Sequence, residues 1–260
     1  MKGMILVAML IFSTHLNCYC QLSDTVPGGL ATSDSISSNL HKKVTINSFI
    51  APTIFIGYGV ISLTGDNAIR RLDYSTNAEL QEDHPAFLVK ADNYLRYIPG
   101  IAVYGLDLVG IKARNNVLDR SLMLLGSYAL VSVTTGTVKG LTNRLRPSGF
   151  NTHSFPSGHT SVAFMTAEFL HQEYKDKSIW YSVGGYTLAT GTAILRLYNN
   201  AHWVSDVVAG AGFGILSTKM IYLVYPYIKR KLLNGKTSNI VVSPGYQNGG
   251  LNFTLIKRLQ

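Results

Sequence analysis

The chain has 260 residues, 47% of them hydrophobic and only 14% charged, with a mean hydropathy of +0.16. Soluble domains carry about 25% charged residues, so this balance excludes a disordered chain, a coiled coil and a collagen-like repeat and points to a membrane helix bundle. The formal charge of +9 sits on too few charged positions for a nucleic-acid footprint and suits headgroups or cytoplasmic loops, while the 2 cysteines, Cys18 and Cys20, exclude a disulfide framework, a zinc-thiolate site and a cysteine nucleophile over the rest of the chain.

In chain order, Met1-Lys2-Gly3 and the apolar run from Met4 to Phe12 read as a signal peptide or an uncleaved anchor over residues 1–20. The run is too short to span a bilayer by itself. Residues 21–47 are rich in Ser, Thr and Gly and read as a flexible exported leader. Six apolar segments follow: Ser48 to Leu63, broken by Pro52; Tyr94 to Ile111, with Pro99 and an intramembrane Asp107; Ser121 to Val138; Gly158 to Leu170; Ile179 to Leu195; and Trp203 to Tyr227. The expected class is therefore all-α, a polytopic transmembrane bundle of five or six spans over residues 48–236. Trp180, Tyr181, Trp203, Tyr225 and Tyr227 stand at segment ends, where an aromatic belt belongs. Residues 237–260 alternate apolar and polar positions around Pro244-Gly245 and Asn248-Gly249-Gly250, which predicts a short C-terminal β-hairpin.

Basic residues set the orientation. Lys112, Arg114 and Arg120 flank one loop, Lys175 and Lys177 lie in another, and Lys229, Arg230, Lys231 and Lys236 follow the last segment. With all three cytoplasmic, the loops at 139–157 and 196–202 face the periplasm. A cleaved signal would leave the new N-terminus outside, and the Pro-broken segment at 48–63 would then be re-entrant or interfacial.

Three clusters of reactive residues fall at segment ends on that outer face. The first is Lys139, six residues, then Arg146-Pro147; the second is Pro156-Ser157-Gly158-His159; the third is Arg196, five residues, His202, three residues, Asp206. A phosphate ester needs its oxygens neutralised, a nucleophile in line and an acid for the leaving oxygen. Lys139, Arg146 and Arg196 supply three cations, two of them forked guanidinium groups. Ser157 stands at an N-cap position, so its hydroxyl and the backbone N–H groups of Gly158 and His159 open a helix toward an anion. His202 and Asp206, four apart, share one helical face, and a carboxylate there fixes the imidazole tautomer.

Together the clusters resemble the three-part signature of the type 2 phosphatidic acid phosphatase superfamily, whose other branch is the vanadium haloperoxidases. The match runs from Lys139 to Asp206; Leu195 departs from it, standing where the family commonly has Ser before the third-cluster arginine. The resemblance implies a metal-independent phosphatase without a cofactor, in which His202 forms a phosphohistidine and His159 protonates the leaving alkoxide and then activates water. Its implied substrate is a membrane lipid phosphate, lipid A first, with undecaprenyl diphosphate and phosphatidylglycerol phosphate as alternatives. The rival classes are a vanadium haloperoxidase and a catalytically inactive lipid-binding protein. Glu168 and Asp107 are expected as interhelical hydrogen-bond partners. Asp92 and Arg96 are expected either to line a headgroup cleft or to pair with each other. His153 reads as a loop residue, and Asn143 and Arg144 as possible additional substrate contacts.

Overall fold

The computed structural model describes residues 46–232, 240–247 and 250–257. The signal or anchor at 1–20 and nearly all of the leader at 21–47 lie outside the described residues. Eight α-helices are present among them: α1 (Ile50–Ile61), α2 (Ala68–Asp83), α3 (Asp92–Leu95), α4 (Ile98–Leu108), α5 (Val117–Thr142), α6 (Gly158–Tyr174), α7 (Ile179–Tyr198) and α8 (Val204–Leu232). Strands β1 (Ile240–Gln247) and β2 (Gly250–Lys257) pair antiparallel, Ile240 opposite Lys257 and Gln247 opposite Gly250.

Short polar side chains start the long helices. The Asn116 side chain accepts from Asp119 N at 2.9 Å ahead of α5, and Asn67 accepts from Arg70 N at 3.0 Å ahead of α2. These bonds satisfy backbone donors that a first turn leaves free. Asn143 closes α5 in the left-handed region, at φ 43°.

Helix α6 is the inner element, buried along nearly its whole length and flanked by α4, α5, α7 and α8. Small residues let α8 lie against it. A Cβ on Gly210 would stand 2.7 Å from the Ser157 carbonyl oxygen, and one on Gly214 would overlap the Ser161 carbonyl. Gly210 and Gly214 thus form a small-xxx-small crossing, the device by which helices approach closely without a hydrophobic drive between them. On the opposite side of α8, Gly212 admits the backbone of α1 at Pro52.

The expected class of five or six spans is corrected here. Two helices among the described residues are long and apolar enough to cross a membrane, Val117–Thr142 and Val204–Lys231. The reason is the inner position of α6. Its 17 residues carry Glu168, Gln172 and Glu173, all buried and all satisfied by neighbours rather than facing lipid. Glu168 accepts from Lys219 Nζ at 2.8 Å and from Tyr186, and Gln172 donates to it at 2.6 Å. Asp107 likewise takes Arg120 Nη2 at 2.6 Å. Both acids are interhelical partners, as their positions in apolar segments suggested. Helices α1 and α4, 12 and 11 residues long, reach roughly 18 Å at 1.5 Å per residue, short of a hydrocarbon core of about 30 Å.

The outside of the bundle is apolar. Leu122, Leu125 and Val133 of α5 and Leu223, Val224 and Tyr227 of α8 are exposed, as are Ile50, Ile54, Ile101 and Leu108. So much uncovered aliphatic surface suits lipid rather than water. The two ends differ in content. At one, Arg114 N donates to the Glu173 carbonyl at 3.1 Å, Asn115 binds the Glu173 carboxylate, and Lys229 pairs with Asp119 at 2.6 Å. At the other stand the C-termini of α5 and α7, the N-termini of α6 and α8, and helices α2 and α3.

Candidate active site

The three sequence clusters converge at that second end. Lys139, in the last turn of α5, donates from Nζ to the carbonyls of His153 (3.0 Å), Ser154 (3.3 Å) and Pro156 (2.5 Å). The loop supplying them doubles back on itself. Arg146 N donates to Asn151 O at 3.0 Å and Ser154 N to Arg144 O at 3.0 Å, with a turn at Gly149, φ 71°. Arg146 Nε also donates to the Asn151 side chain at 2.9 Å, so its guanidinium is aimed by the same loop. Burial and the nearby Arg196 guanidinium both push Arg146 below its ordinary range, while Asp206 opposes them.

Arg196, in the last turn of α7, is held by Asp92 Oδ2 at 2.6 Å, and its Nε is buried without a partner among the described residues. The alternative in which Asp92 pairs with Arg96 is therefore corrected: Arg96 donates to Asn93 O at 3.2 Å and lies over the Tyr97 ring at 4.6 Å. Asp92 is buried and Arg196 is the cation it can reach without exposing itself, which is why the i,i+4 pairing loses.

Ser157 is the N-cap of α6 in extended geometry, yet its side chain makes no capping bond. Its hydroxyl accepts from Thr160 Oγ1 at 3.0 Å, and its N–H donates to the Asp206 carbonyl at 3.0 Å, tying the start of α6 to α8. Gly158 faces Lys139, whose Cε would lie 3.8 Å from an added Cβ. The His159 ring shares a 2.8 Å hydrogen bond between Nε2 and Asn93 Oδ1. His159 stands at the mouth of the bundle, outside both apolar spans. Burial, then the Arg196 and Arg96 charges, lower its pKa to about 3, with Asp92 opposing.

His202 precedes α8 and is buried. Its Nδ1 lies 3.5 Å from Asp206 Oδ2, within ion-pair range but too far for a tight hydrogen bond. Burial lowers its pKa to about 4, with the Asp206 carboxylate pulling it up and Arg196 and Lys139 pushing it down. At neutral pH the imidazole is therefore uncharged and keeps a free lone pair.

Asp206 is fully buried and heavily engaged. Oδ1 accepts from Arg144 Nη1 at 2.8 Å; Oδ2 accepts from Ser154 Oγ at 2.5 Å and Trp203 N at 3.0 Å. Arg144 turns inward, so its expected substrate contact is corrected, while Asn143 is exposed and closes α5 in the left-handed region. His153 is an exposed loop residue whose carbonyl serves Lys139. Asp73 of α2 was missed altogether. It accepts from Arg144 Nη2 (2.7 Å), Ser205 N (2.8 Å) and Ser205 Oγ (2.5 Å) with no side-chain exposure. The only sequence signal for it was an acid in the otherwise polar stretch between two apolar segments.

Three cations, two imidazoles and a buried carboxylate thus surround one end of an apolar bundle, the arrangement that an anionic ester demands. A family model described as "PAP2 superfamily" matches residues 120–230, which contain all three clusters. The chain is 32% identical over 224 residues to a lipid A 1-phosphatase of Porphyromonas gingivalis, covering 82% of this chain and 48% of that protein. A lipid A 1-phosphatase of Helicobacter pylori (strain J99) is 28% identical over 140 residues, 51% of this chain and 69% of that one. The chain thus spans about half the length of the P. gingivalis relative. Among solved structures, a transmembrane PAP2-type phosphatidylglycerolphosphate phosphatase from Bacillus subtilis is similar with a TM-score of 0.48 at 20% identity, over 69% of this chain and 98% of that one.

Proposed function

We propose that this chain is a membrane phosphatase that hydrolyses a lipid phosphate, with lipid A as its substrate, through a phosphohistidine on His202. The observation that carries the reading is the convergence of Lys139, Arg146 and Arg196 with His202, His159 and Asp206 at one end of an apolar bundle, within the residues that the family model matches. The identity to the P. gingivalis lipid A 1-phosphatase favours lipid A over the other lipid phosphates. The phosphatase domain is taken as residues 48–236, in the bacterial inner membrane with this end toward the periplasm. Supporting that orientation, Arg114 and Lys229 make their contacts at the opposite end.

In this mechanism the three cations, with Ser157 and the backbone N–H groups opening α6, hold the phosphate oxygens. His202 Nδ1 faces Asp206, so Nε2 attacks phosphorus and a P–N bond forms as the P–O ester bond breaks. His159 gives its proton to the departing alkoxide. The charge of the bound phosphate favours the imidazolium that this transfer requires, against the pull of Arg196 and Arg96. Water then gives a proton to His159 and attacks phosphorus, the P–N bond breaks, and inorganic phosphate leaves with both imidazoles restored.

The test is phosphate release in detergent micelles containing a chelator, from a panel of lipid A, undecaprenyl diphosphate, phosphatidylglycerol phosphate and phosphatidic acid. Release from lipid A at the highest kcat/KM is expected. Preference for undecaprenyl diphosphate would reassign the substrate, and an absolute need for a divalent ion would overturn the chemistry. Halide-dependent oxidation with vanadate, in place of hydrolysis, would select the haloperoxidase branch. Orientation is read by single-cysteine labelling in intact cells after Cys18 and Cys20 are replaced. An impermeant reagent should reach position 150 and not position 114, and the reverse would invert the topology.

A further inference from the structure

Behind the Asp206 carboxylate lies a second layer that the three motifs do not include. Arg144 projects inward from the loop after α5 and bridges two carboxylates, Asp206 Oδ1 at 2.8 Å and Asp73 Oδ2 at 2.7 Å. Its side chain is 12% exposed, and both acids are fully buried. Arg144 Nη1 also donates to Ser205 Oγ at 2.7 Å and Ser62 Oγ at 3.1 Å, so α1, α2, α8 and the loop meet at one guanidinium. Asp73 in turn accepts from Ser205 N, one residue before Asp206. Tyr74, next to Asp73 on α2, packs edge-on against Trp203, next to His202, with ring centroids 5.0 Å apart.

Charge makes this more than a strut. A single Arg beside Asp206 would neutralise the carboxylate that faces the His202 imidazole. A second buried carboxylate on the far side of that Arg restores a net negative charge to the group, with no other cation bound to Asp73 among the described residues. We infer that Asp73 and Arg144 are positioning residues for the proposed phosphatase chemistry. Arg144 aims Asp206 at His202 Nδ1, and Asp73 keeps Arg144 from cancelling the Asp206 charge. Helix α2, a polar segment outside the membrane-crossing helices, thereby belongs to the active site. The inference rests on the phosphatase reading for its kinetic consequence, but its structural content, the state of His202 Nδ1, can be measured without substrate.

The experiment uses the full chain in micelles and four variants, Asp73→Asn, Arg144→Lys, Arg144→Gln and the double variant of Asp73→Asn with Arg144→Gln. Phosphate release from the best lipid of the panel should show kcat lowered about 100-fold in Asp73→Asn with KM within a factor of about three, because ground-state phosphate contacts remain and only nucleophile alignment is lost. Arg144→Lys keeps the charge and should retain more activity than Arg144→Gln. The double variant should lose no more than the worse single variant, since the two residues act as one unit. In parallel, nitrogen-15 NMR of histidine-labelled protein, with His202 assigned by its absence in His202→Gln, should show the Nδ1 resonance shifted in Asp73→Asn and Arg144→Gln. A folded Asp73→Asn protein with an unmoved His202 Nδ1 signal would overturn the inference whatever its activity. The expected shift in a protein whose wild type releases phosphate from no lipid would leave the inference standing and remove the phosphatase reading. Parallel rises in KM with unchanged kcat would also overturn it, by assigning these residues to substrate binding.

Discussion

The crossing of α8 over α6 makes a strong prediction at a residue without chemistry. Gly210 sits where a Cβ would lie 2.7 Å from the Ser157 carbonyl, 3.2 Å from Ser161 Oγ and 3.3 Å from Thr160 Cβ. Restoring ordinary contact requires α6 and α8 to part by roughly 0.7 Å, and overpacking of this kind costs about 1–3 kcal/mol. The parted backbone is Ser157 itself, whose N–H is bonded to the Asp206 carbonyl at 3.0 Å. Gly210→Ala should therefore lower kcat about 10- to 100-fold, given that a misplacement of about 1 Å costs about 100-fold, and should lower the Tm. Gly191→Ala is the control: nothing lies within 4 Å of its added Cβ, and the gain in helix propensity is up to about 1 kcal/mol. The assay is phosphate release together with thermal unfolding in the same micelles. A Gly210→Ala protein with wild-type kcat and unchanged Tm would refute the close crossing and the coupling of its geometry to the site.

Three further outcomes follow from the site. Asp206→Asn puts an NH2 group against donors at either oxygen, Arg144 on one side and Trp203 N on the other; kcat should fall about 10³- to 10⁴-fold, as when a carboxylate that fixes a histidine tautomer is lost, and steady-state kinetics would show it. An NMR titration of His202 in the substrate-free protein should have its midpoint near 4. Because the unfolded histidine titrates near 6.5, it takes up a proton that the folded one refuses between those values, so this group's contribution to stability falls as pH drops through that window. A midpoint at 6.5 or above would contradict the burial of His202. Arg196→Lys gives up the fork that holds Asp92 at 2.6 Å while reaching for phosphate; it should lose at least 10-fold in kcat/KM, and equal activity would show that a point charge suffices.

Much of the site was legible because its chemistry is written in short spacings. Lys139 to Arg146 and Ser157 to His159 each lie within one helix end and its adjoining loop, and Arg196 to Asp206 spans the short connection from α7 to α8, so local order carries them together. What the spacing could not reveal was long-range. Asp92 reaches Arg196 across 104 positions and Asp73 reaches Arg144 across 71, and neither acid stands in a periodic pattern. Arg144 lies two residues from Arg146 and yet turns inward, because two buried carboxylates await it. The span count failed for a related reason. An inner helix such as α6 satisfies Glu168 and Gln172 within the bundle, so hydropathy along the chain does not report what faces lipid. The close α6–α8 crossing, by contrast, was present in the sequence as Gly210 and Gly214 four apart, a signal that apolar counting passes over.

The central claim is a covalent phosphoryl group on His202. Wild-type protein mixed with phosphorus-32-labelled lipid A should, when quenched within the first turnovers, carry label that survives base and is released by acid. Peptide mapping should assign that label to His202. The His202→Ala variant, correctly inserted, should carry none and turn over no lipid phosphate. Label on another residue, or a His202→Ala protein with near wild-type turnover, would contradict the mechanism.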